Sequence, residues 1–318
     1  MRSWIDHSGE VVWEPAPSLI AQLVEAGQPF WLDIENPTDE LIDQLAIHLG
    51  LHPLAVEGSR QFGQRAKLMV YGNGVLLVGF GLDEQLHEPV EVHCYYTTGF
   101  LVTLRRAPSP ALDALHQAGS VQPQLGSDPI QVLHSVIGSL YTQFSVLCLE
   151  LDERLDTLEQ RVLHEADDQE LGEITSIRRR AAFIRRILTP GRDLAARTPL
   201  IQSLPGASSA TQLFAEDIND ELQQVVADFG AIEERGAALL ALHASLASKH
   251  LAVVSRRLAD VATIFLPISF LVGFWGQNFD VLTGRIEKGW PAFLVLGVGL
   301  SMACVAVIVF MISRRGWK

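Results

Sequence analysis

Cysteine is scarce. Cys94, Cys148 and Cys304 are the only three, far apart and without a C-x-x-C pair, which excludes a disulfide framework and a thiolate-type structural zinc site. Positive charge is also in short supply: 24 Lys and Arg stand against 37 Asp and Glu, a formal net charge of −13. Nucleic-acid binding needs a basic surface, so nucleic acid is excluded as a partner. An acidic surface instead concentrates cations. Catalytic signatures are missing. There is no Walker-type loop, G-x-G-x-x-G, G-x-S-x-G or H-E-x-x-H, and each of those carries a specific chemistry. The ten histidines form no ligand-like spacing. These absences point away from an enzyme and from a bound cofactor. The N-terminal Met1-Arg2-Ser3-Trp4-Ile5-Asp6 lacks the apolar core of a signal peptide. The chain ahead of Leu258 is therefore expected in the cytoplasm.

What is present is apolar and unevenly placed. Mean hydropathy is +0.21, and the excess collects after Leu258. Residues 290–312 read WPAFLVLGVGLSMACVAVIVFMI, without a charge. Such a helix is roughly 34 Å long, enough to cross a hydrocarbon core of about 30 Å. Residues 258–279 carry only Asp260 and are interrupted by Pro267, Gly273 and Gly276. We read the two runs as a transmembrane hairpin, the first one broken. Arg256 and Arg257 precede it, and Arg314, Arg315 and Lys318 follow it. The positive-inside rule then puts both termini in the cytoplasm and the 277–289 loop outside, as in a multi-pass protein of the inner (plasma) membrane.

The first run has the composition of a helix that packs closely or lines water. Ser269, Leu266, Ala262, Leu258 and Ser255 recur in steps of three and four and fall on roughly one stripe of a helix. Two helices cannot enclose a pore, so a water path along this stripe requires an oligomer. Leu258 and Leu266 would form apolar rings, which exclude water until they widen, with Ser255 and Ser269 flanking them. At the external end, Gly276-Gln277-Asn278 offers helix-terminal carbonyls and an amide oxygen. Repeated around an axis, Asn278 and these carbonyls make a hard-oxygen ring suited to a hydrated divalent cation. A tail anchor is the plain alternative. It explains the second run and leaves the composition of the first without a reason.

The remainder divides in two. Residues 1–125 read as an α/β domain, with a strand over 29–34, a helix start at Asn36-Pro37-Thr38-Asp39-Glu40, and strands over 66–71, 75–82, 90–96 and 100–105. Thr97-Thr98-Gly99 is a hairpin turn. Residues 126–257 read as a long-helix stalk. Ile130, Leu133, Ile137, Leu140, Phe144, Leu147 and Leu151 recur in steps of three and four, a coiled-coil-like seam. A second helix over about 169–196 turns Leu171, Ile174, Ile177, Ala181, Ile184 and Leu188 inward. A third starts near Ala210 and runs into the first span despite Gly230 and Gly236. Residues 258–318 form the two-helix transmembrane domain. Among polar clusters, His164, Glu165, Asp167 and Asp168 read as a solvated helix end. Arg178, Arg179, Arg180, Arg185 and Arg186 are expected to pair with carboxylates of an adjacent helix. His93-Cys94 sits on a strand, where neighbours face opposite ways, and cannot chelate.

The stretch A-T-I-F-L-P-I-S-F-L-V-G-F-W-G-Q-N-F over 262–279 resembles the signature of the CorA family of divalent-cation transporters. The likeness extends to Trp31-Leu32-Asp33-Ile34, Gly50-Leu51-His52-Pro53-Leu54-Ala55, Gln64-Arg65-Ala66-Lys67, Ile177-Arg178-Arg179 and Pro190-Gly191-Arg192-Asp193, and so covers most of the chain. It implies a funnel-shaped homopentamer in the lipid bilayer, a pore lined by the first span at positions including Leu266 and Ser269, and a selectivity site at Gly276 and Asn278. It also aligns Asp217 with a position that helps bind a gating cation between protomers; Asp83 and Glu84 are candidates for the facing carboxylates, and ordinary surface acids are the alternative. Gln277 stands where magnesium members carry Met, and the short C-terminus resembles the zinc-transporting ZntB branch. Neither branch carries Gln there. The reading is a transporter of Zn²⁺, ahead of Mg²⁺, Co²⁺ and Ni²⁺, with the cation as substrate and possible regulator. The rival is a membrane-anchored regulatory, mechanosensitive or scaffold member of the same fold that does not conduct.

Overall fold

A computed structural model describes residues 2–7, 10–86, 88–119, 128–164, 168–197, 204–206, 208–275 and 290–314. The chain opens with β1 (Arg2–His7), β2 (Glu10–Trp13), α1 (Pro17–Glu25), β3 (Phe30–Glu35), α2 (Asp39–Leu49) and α3 (Pro53–Arg60). Strands β4 (Lys67–Tyr71), β5 (Gly74–Leu82), β6 (Pro89–Tyr96) and β7 (Phe100–Arg105) follow, then α4 (Pro110–Gly119). Three long helices come next: α5 (Pro129–His164), α6 (Asp168–Ala195) and α7 (Ser209–Trp275). The described chain closes with a helical turn at Trp290–Ala292, a π-helical segment at Phe293–Gly299 and α8 (Leu300–Arg314). Two compact units result, Met1–Leu240 and Ala241–Lys318.

In the first unit, all seven strands form one sheet in the order β2-β1-β3-β7-β6-β5-β4. Among the described strands only β3 and β7 pair in parallel; the other neighbours are antiparallel. Side chains alternate across β3, as the period of two requires. Phe30, Leu32 and Ile34 join Ile20 and Leu23 of α1, Ile42 and Leu45 of α2, and Val56 of α3 in one apolar core. The opposite face carries Trp31 and Asp33, where the Trp31 indole donates to the Thr103 hydroxyl at 3.1 Å. There α5 covers the sheet, burying Leu133, Ile137, Leu140, Phe144, Leu147 and Leu151. Local signals set the ends of α2. The Thr38 hydroxyl caps it by accepting from the Leu41 amide at 3.3 Å, and Gly50 closes it at φ 61, a left-handed conformation that glycine adopts without penalty.

The strands expected at 66–71, 75–82, 90–96 and 100–105 appear within a residue of those bounds. The Thr97 turn is present, its amide donating to the Phe100 carbonyl at 2.9 Å. Two readings are corrected. Leu171 is 40% exposed rather than inward, because it lies near the start of α6, where the seam with α5 has only begun. Pro267 does not break the first apolar run, since α7 passes through it to Trp275. Proline removes one backbone donor and clashes one turn back, and in a long helix the turns on either side hold the axis together. The hairpin of β1 and β2 was not foreseen, because R-S-W-I-D-H and E-V-V-W are too short for a clear alternation.

Candidate metal-conducting helix and its supporting clusters

The apolar part of α7 belongs to the second compact unit. Among the described residues two helices are apolar and long enough to cross a membrane, and burial separates them. The apolar window of α5 is 50% buried, as suits a core helix, whereas that of α7 is 0% buried. From Leu258 to Trp275 the helix spans roughly 27 Å. An uncovered apolar surface of that length needs lipid or other protein copies around it. Leu258 is 66% and Leu266 72% exposed, and Ser255, Ala262 and Ser269 are exposed too. At about 100° per residue these five positions fall within roughly 80° of arc. The structure thus brings all five onto one continuous face. One turn above Pro267, the Thr263 hydroxyl donates to the Ala259 carbonyl at 2.7 Å, so the hydroxyl is satisfied without water. Gly276, Gln277 and Asn278 lie outside the described residues, as does the 277–289 loop. The second expected run is helical throughout its described part, with Leu300–Phe310 its apolar α-helical stretch.

In the first unit, Asp217 of α7 projects 3.3 Å from the His134 ring of α5 and is 74% exposed. One turn on, Glu221 accepts from the Thr142 hydroxyl at 3.1 Å. Burial pushes the Glu221 carboxyl up, and Asp217 adds to the rise, against the opposing pull of Thr142 and His134. His134 escaped the sequence reading. It lies on the seam-bearing helix, and only the packing of α5 on α7 reveals its partner. Asp83 sits in the turn after β5, where its amide donates to the Glu88 carbonyl at 3.0 Å, and Glu84 is exposed. Among the described residues no group of three or more His, Cys, Asp and Glu side chains gathers closely enough to hold a metal. Of the acidic cluster at the end of α5, Glu165 and Asp167 lie outside the described residues.

Further clusters hold the helices in place. The Arg235 guanidinium of α7 reaches Asp152 at 2.7 Å, Glu159 at 3.1 Å and Asp156, all on α5. Gly236 lets α6 approach α7, because a Cβ there would stand 3.3 Å from the Arg178 Cβ. Arg185 pairs with Glu233 at 3.0 Å, as expected of the arginine-rich helix. Arg178, Arg179 and Arg186 differ: they meet no carboxylate among the described residues, and Arg180 donates to the Leu86 carbonyl. His93 and Cys94 face opposite ways. The His93 ring contacts the Glu91 carboxylate at 2.6 Å and stacks on Phe62, while burial pushes the Cys94 thiol far up.

The family model described as "CorA-like Mg2+ transporter protein" matches residues 26–315. The chain belongs to that family. Its members are divalent-metal transporters of the membrane rather than enzymes. This CorA-type chain is 24% identical over 306 residues to the cobalt/magnesium transport protein CorA of Thermotoga maritima, covering 92% of this chain and 84% of that protein. It is 22% identical over 300 residues to the zinc transport protein ZntB of Yersinia pseudotuberculosis, covering 93% and 88%. Its fold matches the complete structure of the CorA magnesium transporter from Methanocaldococcus jannaschii with a TM-score of 0.84 at 17% identity, covering 100% of this chain and 99% of that one. The CorA resemblance in the sequence is therefore borne out. So is the order of an α/β domain, long helices and C-terminal apolar helices.

Proposed function

We propose that this CorA-type chain assembles as a homopentamer in the inner membrane, both termini cytoplasmic, and conducts divalent cations along the 255–269 face of α7. The observation that carries this reading is the absence of any buried face on the apolar window of α7, combined with hydroxyls and small residues on one stripe of it. A lipid anchor has no use for Ser255, Ala262 and Ser269 in line. Five copies of the stripe would instead line water, with Leu258 and Leu266 as apolar constrictions. Gly276, Gln277 and Asn278 form the external mouth in this reading, and the Asn278 side chain supplies a ring of oxygen ligands.

For the cargo, Zn²⁺ stands ahead of Mg²⁺, Co²⁺ and Ni²⁺, on the ground that Gln277 departs from the Met of the magnesium members. Asp217 serves as one ligand of a regulatory cation held between protomers, with Asp83 and Glu84 as candidates for the facing group. Supporting this, Asp217 and Glu221 are like charges one helical turn apart, and a bound cation would relieve their repulsion.

The decisive experiment is flux into liposomes of Zn²⁺, Mg²⁺, Co²⁺ and Ni²⁺ at two pH values, with Asn278→Ala alongside. We expect flux with Zn²⁺ fastest, and loss of at least about tenfold for the variant, whose assembly stays intact. No flux of any of the four ions removes the transport reading and favours a scaffold.

A further inference from the structure

Two of the arginines of α6 that find no carboxylate, Arg179 and Arg186, border the same space. A cleft of about 1220 Å³ opens beside α6, between the segment leading into β4 and the flank of α7 at Val226. Arg65 enters it from the first side, and Arg179, Arg185, Arg186 and Arg192 from α6. The counter-charge is thin. Arg192 is engaged by its neighbour Asp193 at 2.8 Å, and Arg185 by Glu233 at 3.0 Å. Arg65 and Arg179 make no ion pair or hydrogen bond among the described residues, and Arg186 makes only a cation–π contact, 5.6 Å from the Phe183 ring centroid. Five arginines thus line one volume on a chain whose formal net charge is −13.

Unpaired guanidiniums crowded together repel one another. Nothing about the fold requires this arrangement, since the apolar face of α6 is already packed through Ile174, Ile177, Ala181, Ile184 and Leu188, all buried. What the arrangement does suit is a polyanion. Each guanidinium is a planar fork that binds phosphate oxygens in pairs, and several on converging backbones can hold a chain of phosphates. The cleft also offers an aromatic surface: Phe183 is 39% exposed and lines it. An aromatic face beside arginines is the usual receptacle of a nucleobase, through stacking and cation–π contact. The volume exceeds the roughly 300–1,000 Å³ of typical small-ligand pockets, so a triphosphate and its base fit together.

We propose that this cleft binds a nucleoside triphosphate, its phosphates on Arg65 and Arg179 and its base against Phe183. The ligand would tie α6 to the segment before β4, two parts of the first compact unit that a sequence gap of over a hundred residues separates. This site is distinct from the stripe of α7 and stands whether or not the chain conducts.

The test uses the full-length protein in detergent, with excess EDTA so that no divalent ion bridges the phosphates. ATP and inorganic tripolyphosphate are titrated by calorimetry, and assembled mass is measured by light scattering on the same samples. We expect ATP to bind more tightly than tripolyphosphate. Arg65→Ala with Arg179→Ala should weaken both by at least about tenfold, and Phe183→Ala should bring ATP down to the tripolyphosphate affinity. The arginine variants remove side chains that pair with nothing in the described fold, so thermal stability should hold. Failure of both probes to bind overturns the proposal, and equal affinity for the two overturns the nucleotide assignment. A fall in assembled mass in the arginine variant, with no change in binding, makes the cleft a protein interface and overturns it as well.

Discussion

Asp33 and Arg105 are both fully buried and lie 3.1 Å apart on the parallel pair β3 and β7. Arg105 also reaches Glu35 at 3.2 Å and Asp113 at 2.7 Å. His116 stacks on Trp31 with ring centroids 4.0 Å apart and on Trp4 at 5.4 Å. Burial alone would raise the Asp33 carboxyl, but the His116 ring at 3.5 Å, the Arg105 guanidinium and the Thr103 hydroxyl outweigh it and hold the carboxyl below its ordinary 3.8. The stabilisation from its ionisation is complete above that ordinary value and is lost as pH falls through the lower folded one. Arg105→Met strands a buried carboxylate and should cost about 3–5 kcal/mol. Asp33→Asn should cost less, because Glu35 and Asp113 still reach the guanidinium. Denaturant unfolding followed by Trp fluorescence checks the order, and equal costs would show that Asp33 is not the principal counter-ion. Leu266 carries a different kind of prediction. In a pore, Leu266→Ser wets the constriction and raises divalent leak severalfold. Unaltered flux at normal assembly would put Leu266 on the lipid side, and reduced assembly would put it in a helix contact.

At the scale of elements, α7 contributes to both compact units. Its first part docks on α5 and α6 through Arg235, Glu233 and Gly236, and its later part is the candidate pore helix. The cluster of His134, Asp217, Thr142 and Glu221 sits between α5 and α7. Under the regulatory reading, metal at Asp217 offsets carboxylate repulsion, and its loss frees the helix. Asp217→Lys supplies a fixed positive charge there, so flux should no longer fall when Zn²⁺ or Mg²⁺ is added on the cytoplasmic side. A variant that keeps the wild-type dependence on those ions would remove Asp217 from regulation. The side chain is largely exposed, so the same substitution should change stability by no more than about 1 kcal/mol.

For the whole molecule, the exposed apolar face of α7 makes assembly the first quantity to measure. The detergent-solubilised protein should have a mass near five protomers, and a stable monomer or dimer would leave no way to seal a water path from lipid. The acidic balance, the apolar runs, the seam of α5 and the signature over 262–279 were legible in the linear chain, because hydropathy and periodicity are local properties that each residue carries with it. So were the strand bounds of β4 to β7 and the capped start of α2, since Thr38 and Thr97 act on their own neighbours. The rest depended on packing. That Asp217 meets His134, and that Asp33 neutralises Arg105 from a strand about seventy residues away, are outcomes of long-range contact, to which no local pattern is tied. The Arg65 cleft is the clearest case. Charge along α6 announced arginines and suggested partners for them, but which ones would lack a carboxylate was decided only when α6, α7 and the segment before β4 came together and Glu233 reached Arg185 alone.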